Sequence, residues 1–277
     1  MPLRHPVYLD AETLNALADY YELATAPSKK IVEKSTKKSS AGIAAPFGIT
    51  AQAGLGKSIE FQSSYTITPS EKASVSKVID GLIASGNVVT ASPDATLAKD
   101  YIAEVEGNIR LTAASLAGKM FYVLKKYLES IDQNIIDLNF VNIEPEVMQI
   151  FQSIYLGNEL VSIPILVDIV NSGFSPRILA NLRPNMFVDS ATSNQIEGER
   201  RVLGTVRTLI KGGDDGYLST EEWLFPNWEY LMKRVLMTKV NNFVKELIKK
   251  LDIEFPAEDV DSWIKGPAVI LDTIAIY

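Results

Sequence analysis

The sequence predicts an α+β fold: a mixed, largely antiparallel sheet or sheets, with packed helices and a long amphipathic helix before the last strand. Strand-like and helix-like patterns interleave along the 277 residues without a regular βαβ period or an internal repeat of roughly 20–50 residues. Trp228–Leu251 carries apolar residues at helical spacing, and Ala268–Tyr277 is an almost continuous apolar strand. We therefore expect about 7 to 9 strands and about 5 to 7 helices.

The chain begins with a short strand and a helix. Val7–Leu9 is typical of a strand, and Asp10 can cap a helix that starts after it. The apolar residues at helical spacing are Leu14, Leu17, Tyr20 and Tyr21. From residue 26 to residue 58 the composition changes to Lys, Ser, Gly and Ala without a sustained period, which predicts a mobile loop.

A candidate phosphate-binding motif lies in that loop. Residues 51–58, AQAGLGKS, fit the relaxed pattern of a phosphate loop, and Asp168 in a later apolar strand could assist magnesium. The residues that would bind a nucleotide or phosphoryl ligand are Gly54, Gly56, Lys57 and Ser58. A true phosphate loop needs a helix after it, whereas Ile59–Gln62 alternates like a strand, so a flexible loop is the competing interpretation.

Residues 68–91 form a helix-wing-like element. Thr68 and Glu71 make a capping box around Pro69, and Gly86 ends the helix. The apolar stripe consists of Val75, Val78, Ile79, Leu82 and Ile83. A strand at 87–91 would complete half of a winged helix, which raises DNA binding, but the mixture of lysines with Glu71 and an aspartate favours packing.

Strand and helix patterns alternate through the middle of the chain. Gly107 is expected to form a tight turn between two strands. The expected strands are Tyr101–Glu106, Asn108–Thr112 and Leu160–Val170. The expected helices are 113–131, Glu144–Leu156 and a short one from Ser175–Pro176 through Leu182.

The segment Glu199–Trp228 predicts a central strand, a Gly/Asp turn and the entry to the long C-terminal helix. The turn resembles the second half of a calcium-binding loop, with a glycine and a final glutamate at the right offsets. Lys211 and Gly213, however, stand where such a loop needs carboxylates. We therefore expect no metal here, and a structural role for the segment.

Two halves are expected: residues 1–131, an N-terminal α+β half that holds the loop 26–58 and the element 68–91, and residues 132–277, a C-terminal α+β half. The pattern leaves open a single continuous domain, because 277 residues suit one large domain or two closely packed ones.

Composition excludes several chemistries. The chain has zero cysteines and one histidine, His5, so thiolate chemistry, a multi-histidine metal site and a Ser-His-Asp triad without His5 are excluded. The net charge of −7 argues against a general binder of nucleic acid. Neither a signal peptide nor a membrane span is expected, and with zero cysteines this predicts a cytoplasmic protein.

Several short motifs together resemble an uncharacterised prokaryotic family, a domain of unknown function. They are the opening V-Y-L-D at Val7–Asp10, the strand Tyr101–Glu106 with Gly107, V-L-G-T-V at Val202–Val206, and the closing G-P-A and I-A-I-Y within Gly266–Tyr277. The resemblance implies a bacterial or archaeal cytoplasmic protein without assigned activity, and it transfers no catalytic residue. Proteins of this kind are associated with mobile or antiviral-defence loci.

The function expected from the sequence is that of a non-enzymatic interaction or regulatory protein, with no catalytic residue, metal or cofactor assigned. Its partner would be another protein, contacted through the basic loop Lys29–Lys38 and exposed helix faces, and self-association is open. The alternatives are a nucleotide or phosphoryl-ligand binding protein that uses residues 51–58, and a DNA-binding protein that uses residues 68–91.

Overall fold

In a computed structural model of the chain, the described residues are 3–23, 31–33, 64–90, 95–112, 165–183, 186–189, 191, 193–220, 229–231, 234–235, 238, 242 and 263–277. The strands are β1 Tyr8–Leu9, β2 Ser64–Tyr65, β3 Val88–Thr90, β4 Ile102–Leu111, β5 Ile165–Val170, β6 Arg177–Leu182, β7 Phe187–Val188, β8 Gly198–Ile210, β9 Tyr217–Ser219, β10 Trp263–Lys265 and β11 Ala268–Ile276. The helices are α1 Ala11–Tyr20, α2 Pro69–Ala84 and α3 Ser193–Ile196.

Five of these strands close into a barrel. Each of β4, β5, β6, β11 and β8 is hydrogen-bonded to the next, and β8 returns to β4. Only β11 and β6 run parallel; the other four pairings are antiparallel. Closure leaves these five strands without a common open edge, which protects the backbone groups of a small sheet from unwanted pairing.

The two long strands β4 and β11 carry additional short strands. Each of them pairs with β8 along one edge. Along its other edge, β4 pairs with β5 and β3, and β11 pairs with β6 and β1. Beyond β1 the sheet continues through β7 to β2. The sheet therefore takes strands from both predicted halves of the chain.

Apolar side chains cover both surfaces of the central strands. Helices α1 and α2 pack through Leu14, Val78 and Ile79 against a cluster that includes Leu203 and Ala275. On another surface, the β9–β10 ribbon contributes Leu218 and Ile264 to a cluster with Leu166, Leu179, Ile210, Ala268 and Ile270. This burial explains why β5, with the sequence ILVDIV, is almost continuously apolar.

The predicted fold class is wrong. The sequence predicts an α+β fold with helices packed on a mixed, largely antiparallel sheet or sheets, but strands dominate the described part and a five-stranded barrel closes at its centre. No long C-terminal helix is established either: between residues 229 and 242 only scattered positions are described, and there Leu231 and Val235 are exposed rather than buried. Periodicity reports the local pattern of a segment, whereas closure depends on pairings between distant segments.

Two local predictions are also wrong. Gly107 forms no turn, because β4 runs through it without interruption. Ser175–Pro176 starts no helix, because Arg177–Leu182 is the strand β6, held between β5 and β11. In both cases partners on neighbouring strands override a local turn or helix-start signal.

Other predictions are confirmed. Asp10 caps α1 through its side chain, and Thr68 with Glu71 forms the capping box of α2. Strand β8 and the final strand β11 lie where the alternation and the apolar run placed them. The predicted loop 26–58 lies outside the described residues except for 31–33, and so do the helices predicted at 113–131 and Glu144–Leu156.

Candidate functional site

A buried carboxylate organises the most polar part of the barrel surface. Asp168 lies in the apolar strand β5 and is only 4% exposed. Burying a carboxylate is costly unless charged or polar partners compensate for the lost water. The strand can hold Asp168 only because two arginines meet it from the strands on either side.

Arg110 approaches from β4. It pairs with Asp168 in the antiparallel register, so their side chains are direct cross-strand neighbours. Its Nε and Nη2 atoms lie 3.3 Å and 3.0 Å from Oδ2 of Asp168. The Arg110 side chain is 48% exposed, so the ion pair reaches from the buried strand to the surface.

Arg177 approaches from the first position of β6. Its Nε donates to Oδ1 at 3.2 Å and its Nη2 donates to Oδ2 at 3.0 Å, so the guanidinium holds both oxygens of Asp168 in a fork. Its side chain is 37% exposed. Its remaining terminal nitrogen, Nη1, makes no hydrogen bond within the described part of the chain.

The connection from β5 to β6 places Arg177 beside Asp168. In it, Asn171 and Gly173 have positive φ angles of 59° and 75°, which reverse the chain within a few residues. Gly107 of β4 lies against this connection: a Cβ atom there would stand 2.7 Å from the Val170 carbonyl oxygen. The close approach requires glycine, which explains a residue that the sequence alone suggested for a turn.

These residues line an open groove of about 750 Å³. Among the described residues, its charged lining includes Arg110, Arg177 and Asp168. Its apolar lining includes Val170, Phe174 and Pro176, all at least partly exposed. Two guanidinium groups oriented by one carboxylate form an arrangement suited to binding an oxyanion.

The arrangement does not suit the magnesium role expected for Asp168. Both of its oxygens accept hydrogen bonds from guanidinium groups. A divalent cation would have to displace or approach two arginines, which repel it. Gly54, Gly56, Lys57 and Ser58, the residues predicted to bind a phosphoryl group, lie outside the described residues.

Arg110 and Arg177 were not singled out from the sequence. One signal was available: an aspartate in the middle of a buried strand needs a cationic partner. The sequence does not say which arginine supplies it, because Arg110 is separated from Asp168 by 58 residues and becomes its neighbour only through the β4–β5 register.

The helix-wing element has a structural arrangement. Strand β3 joins β4 in parallel instead of forming an antiparallel wing hairpin. Val75, Val78 and Leu82 of α2 are fully buried, and Lys72 forms an ion pair with Asp189 at 2.6 Å. The described part of this element, residues 68–90, therefore packs against the sheet through the stripe that the sequence predicted.

A second polar cluster joins the N-terminal segment to α2 and the sheet. Arg4 lies 2.9 Å from Asp80 and 3.9 Å from Glu104, and its guanidinium stacks over the Tyr277 ring. The Tyr277 hydroxyl donates to Glu104, and burial together with this bond raises the pKa of Tyr277. These contacts connect the N-terminal segment to α2, β4 and the residue that follows β11.

No helix among the described residues is long and apolar enough to cross a membrane. No group of three or more His, Asp or Glu side chains among them is placed to hold a metal ion.

Residues 3–277 match the model of a protein family described as Domain of unknown function (DUF6414). No curated protein and no solved structure matches the chain. The match covers the barrel and the groove together.

Proposed function

The chain belongs to this domain family of unknown function, and we propose that it is a non-enzymatic binding protein whose groove takes an oxyanion group of a partner between Arg110 and Arg177. The observation that carries the proposal is the pair of guanidinium groups held by one buried carboxylate at the surface of a rigid barrel.

The arginines are oriented before any ligand binds. Asp168 is buried in β5 and fixes both guanidinium planes through hydrogen bonds of 3.0–3.3 Å. A ligand therefore does not have to immobilise two long flexible side chains, which normally opposes binding. Both guanidinium groups reach the surface, so the groove presents cationic donors although the whole chain carries −7.

A binding role fits these residues better than catalysis. Asp168 accepts guanidinium hydrogen bonds at both oxygens, which leaves it poorly placed to take a proton from a substrate. Arginine remains protonated and serves as a donor, not as a general base. With zero cysteines and one histidine, the chain has no thiol nucleophile and a single imidazole.

We further propose a cytoplasmic setting and a protein partner. The absence of cysteines from all 277 residues supports a reducing compartment. A prokaryotic source and a role in antiviral defence or on a mobile element follow only from the association stated for the resemblance. Inspection of the neighbouring genes tests that association: neighbours unrelated to defence or mobility would count against it.

A thermal-unfolding panel tests the binding function. Phosphate, sulfate and acetate would be compared with chloride at constant ionic strength, for the wild type, Arg177→Gln and Arg207→Gln. Arg207 is exposed to a similar extent as Arg177 and forms an ion pair with Asp272 at 3.1 Å, so its variant is a matched control. At an anion concentration five times the Kd we expect stabilisation of about 1 kcal/mol in the wild type and the control, and almost none in Arg177→Gln.

Equal anion responses in all three proteins would contradict the groove as the binding site. A hydrolase, nuclease or nucleotide-turnover activity that disappears in Arg177→Gln would instead contradict the non-enzymatic role. Circular dichroism of each variant establishes that the barrel is intact.

A further inference from the structure

We infer that the second polar cluster is a binding site for an arginine side chain of a partner peptide, and that the chain's own Arg4 occupies it as a displaceable internal ligand. The site consists of Asp80 of α2, Glu104 of β4 and Tyr277, which follows β11. Among the described residues it shares none with the groove, so it is independent of the proposed function.

Three features that recognise a guanidinium group meet at this site. Oδ1 of Asp80 lies 2.9 Å and Oε1 of Glu104 lies 3.9 Å from Nη2 of Arg4, so two carboxylates face the cation. The Tyr277 ring presents its face to the guanidinium, with 4.7 Å between Cζ of Arg4 and the ring centroid. A planar guanidinium uses its edge and its face at once, whereas an ammonium group is a compact point charge. The site therefore favours arginine over lysine.

Groups outside the N-terminal segment hold the site in place. The Tyr277 hydroxyl donates to Oε1 of Glu104, and the main chain of Tyr277 exchanges two hydrogen bonds with Arg201 of β8, at 2.9 Å and 3.0 Å. Asp80 lies on α2, whose apolar stripe is buried. The site therefore stays formed when Arg4 leaves it, which lowers the cost of binding another arginine.

The N-terminal segment presents Arg4 to the site as a peptide ligand would. Residues 3–6 have no regular secondary structure. The Arg4 side chain is only 10% exposed, although Leu3 and His5 on either side of it are exposed. The Arg4 N–H donates to Oγ of Ser76 at 3.0 Å, so α2 binds the main chain at the same position. The site thus recognises an arginine residue within a chain.

Arg4 fits the site incompletely. Its Nε is buried without a hydrogen-bond partner, and Oδ1 of Asp80 accepts no hydrogen bond although it lies close to Nη2. A buried donor without an acceptor opposes binding. Arg4 is tied to β1, which starts at Tyr8, whereas the arginine of a separate peptide can turn until its nitrogens meet the carboxylates. Such a peptide can therefore compete with Arg4.

Chemical rescue of Arg4→Ala tests the site itself. This variant lacks the guanidinium, and ethylguanidinium replaces the side-chain atoms beyond Cβ. The comparators are ethylammonium, which keeps the charge, and ethylurea, which keeps the planar shape. Thermal unfolding at constant ionic strength would be measured for the wild type, Arg4→Ala, Arg4→Ala/Asp80→Asn and Arg207→Ala. Arg207→Ala is the matched control, because Arg207 forms an exposed ion pair with Asp272 at 3.1 Å.

Ethylguanidinium at five times its Kd should raise the Tm of Arg4→Ala by roughly 2–4 °C relative to its effect on the wild type. The comparators at the same concentration should cause almost no rise, and ethylguanidinium should cause almost none in Arg4→Ala/Asp80→Asn or Arg207→Ala. Equal responses of Arg4→Ala to the three additives, or an equal response of Arg207→Ala, would overturn the arginine site.

Hydrogen exchange of the wild type tests displacement, and it decides the question if Arg4→Ala folds poorly. The probe is a blocked peptide with one arginine among alanines, and its comparator carries citrulline instead. The Arg4 amide bonds to Ser76 at the site, whereas the Val7 amide donates to Ile276 in the sheet and reports the fold.

We expect the arginine peptide to accelerate exchange at Arg4 roughly fivefold or more, with Val7 unchanged. Equal exchange at Arg4 with the two peptides would overturn the inference even if Arg4→Ala is rescued, because Arg4 would then be a fixed structural residue.

Discussion

Arg177 and Asp168 form a forked ion pair across the β5–β6 connection, with Nε 3.2 Å from Oδ1 and Nη2 3.0 Å from Oδ2. The carboxylate of this pair is buried, whereas the guanidinium is 37% exposed. The pair therefore connects the core of the barrel with its surface. Arg110 binds the same carboxylate, which makes Asp168 the residue that orients both cations.

Replacing that carboxylate should destabilise the protein. Asp168→Asn retains the shape of the side chain but replaces one acceptor oxygen by an NH2 donor. This donor would face two guanidinium groups, which are also donors, so buried hydrogen bonds are lost. We expect the free energy of unfolding to fall by about 1–3 kcal/mol, since the arginines stay partly solvated. Urea denaturation followed by circular dichroism measures the loss.

Asp272→Asn provides the control for this prediction. Asp272 also pairs with an arginine, Arg207, but its side chain is 39% exposed. Exposed pairs contribute about 0–1 kcal/mol, so this variant should unfold close to the wild type. Equal losses in the two variants would show that burial of Asp168 has no special energetic role.

Gly107→Ala should destabilise the groove by steric conflict. The added Cβ would lie 2.7 Å from the Val170 carbonyl oxygen and 2.8 Å from Cγ2 of Ile169, and the backbone atom cannot rotate away. We expect a loss of about 1–3 kcal/mol by urea denaturation. Gly212→Ala is the matched control, because its Cβ meets only Pro267 at 3.5 Å, and a similar loss there would refute the steric explanation.

Buried tyrosines should make the protein sensitive to alkaline pH. Burial raises the pKa of Tyr65 above its ordinary value of 10.0, and its hydroxyl donates to the Leu9 carbonyl. Above pH 10 the unfolded chain releases this proton while the folded chain keeps it, so the free energy of unfolding falls as pH rises. One such group lowers the free energy of unfolding by about 1.4 kcal/mol for each pH unit in this range.

Tyr65→Phe should separate this effect from general alkaline unfolding. Because the variant lacks the hydrogen bond, its free energy of unfolding should be about 1 kcal/mol lower at pH 7. Between pH 10 and 11.5 its free energy of unfolding should fall less steeply than that of the wild type. Tyr20→Phe, at a residue 77% exposed, should follow the wild type. Parallel pH profiles for Tyr65→Phe and the wild type would contradict the prediction.

Local features of the fold could be predicted from the sequence. The capping box at Thr68 and Glu71, the stripe of α2 and the strands β8 and β11 depend on neighbours within a few residues. Their physical causes are local, so the sequence pattern shows them directly.

Barrel closure and the groove depend on long-range pairing instead. Pairing of β4 with β8 joins residues about a hundred positions apart, and no periodicity encodes it. The strand β6 was mistaken for a helix because Ser175–Pro176 resembles a helix start, although its partners lie on β5 and β11. Asp168 could be recognised as a buried acid in need of a cation, but not Arg110 and Arg177 as its partners.

The most direct test of the central claim is an NMR titration that observes the arginine Nε–Hε resonances of isotopically labelled protein as acetate and then phosphate are added at constant ionic strength. We predict saturable shifts of the Arg110 and Arg177 resonances at a common Kd, with the Arg207 resonance unchanged. Shifts of equal size at all three arginines, or no saturation at Arg110 and Arg177, would contradict an oxyanion site in the groove.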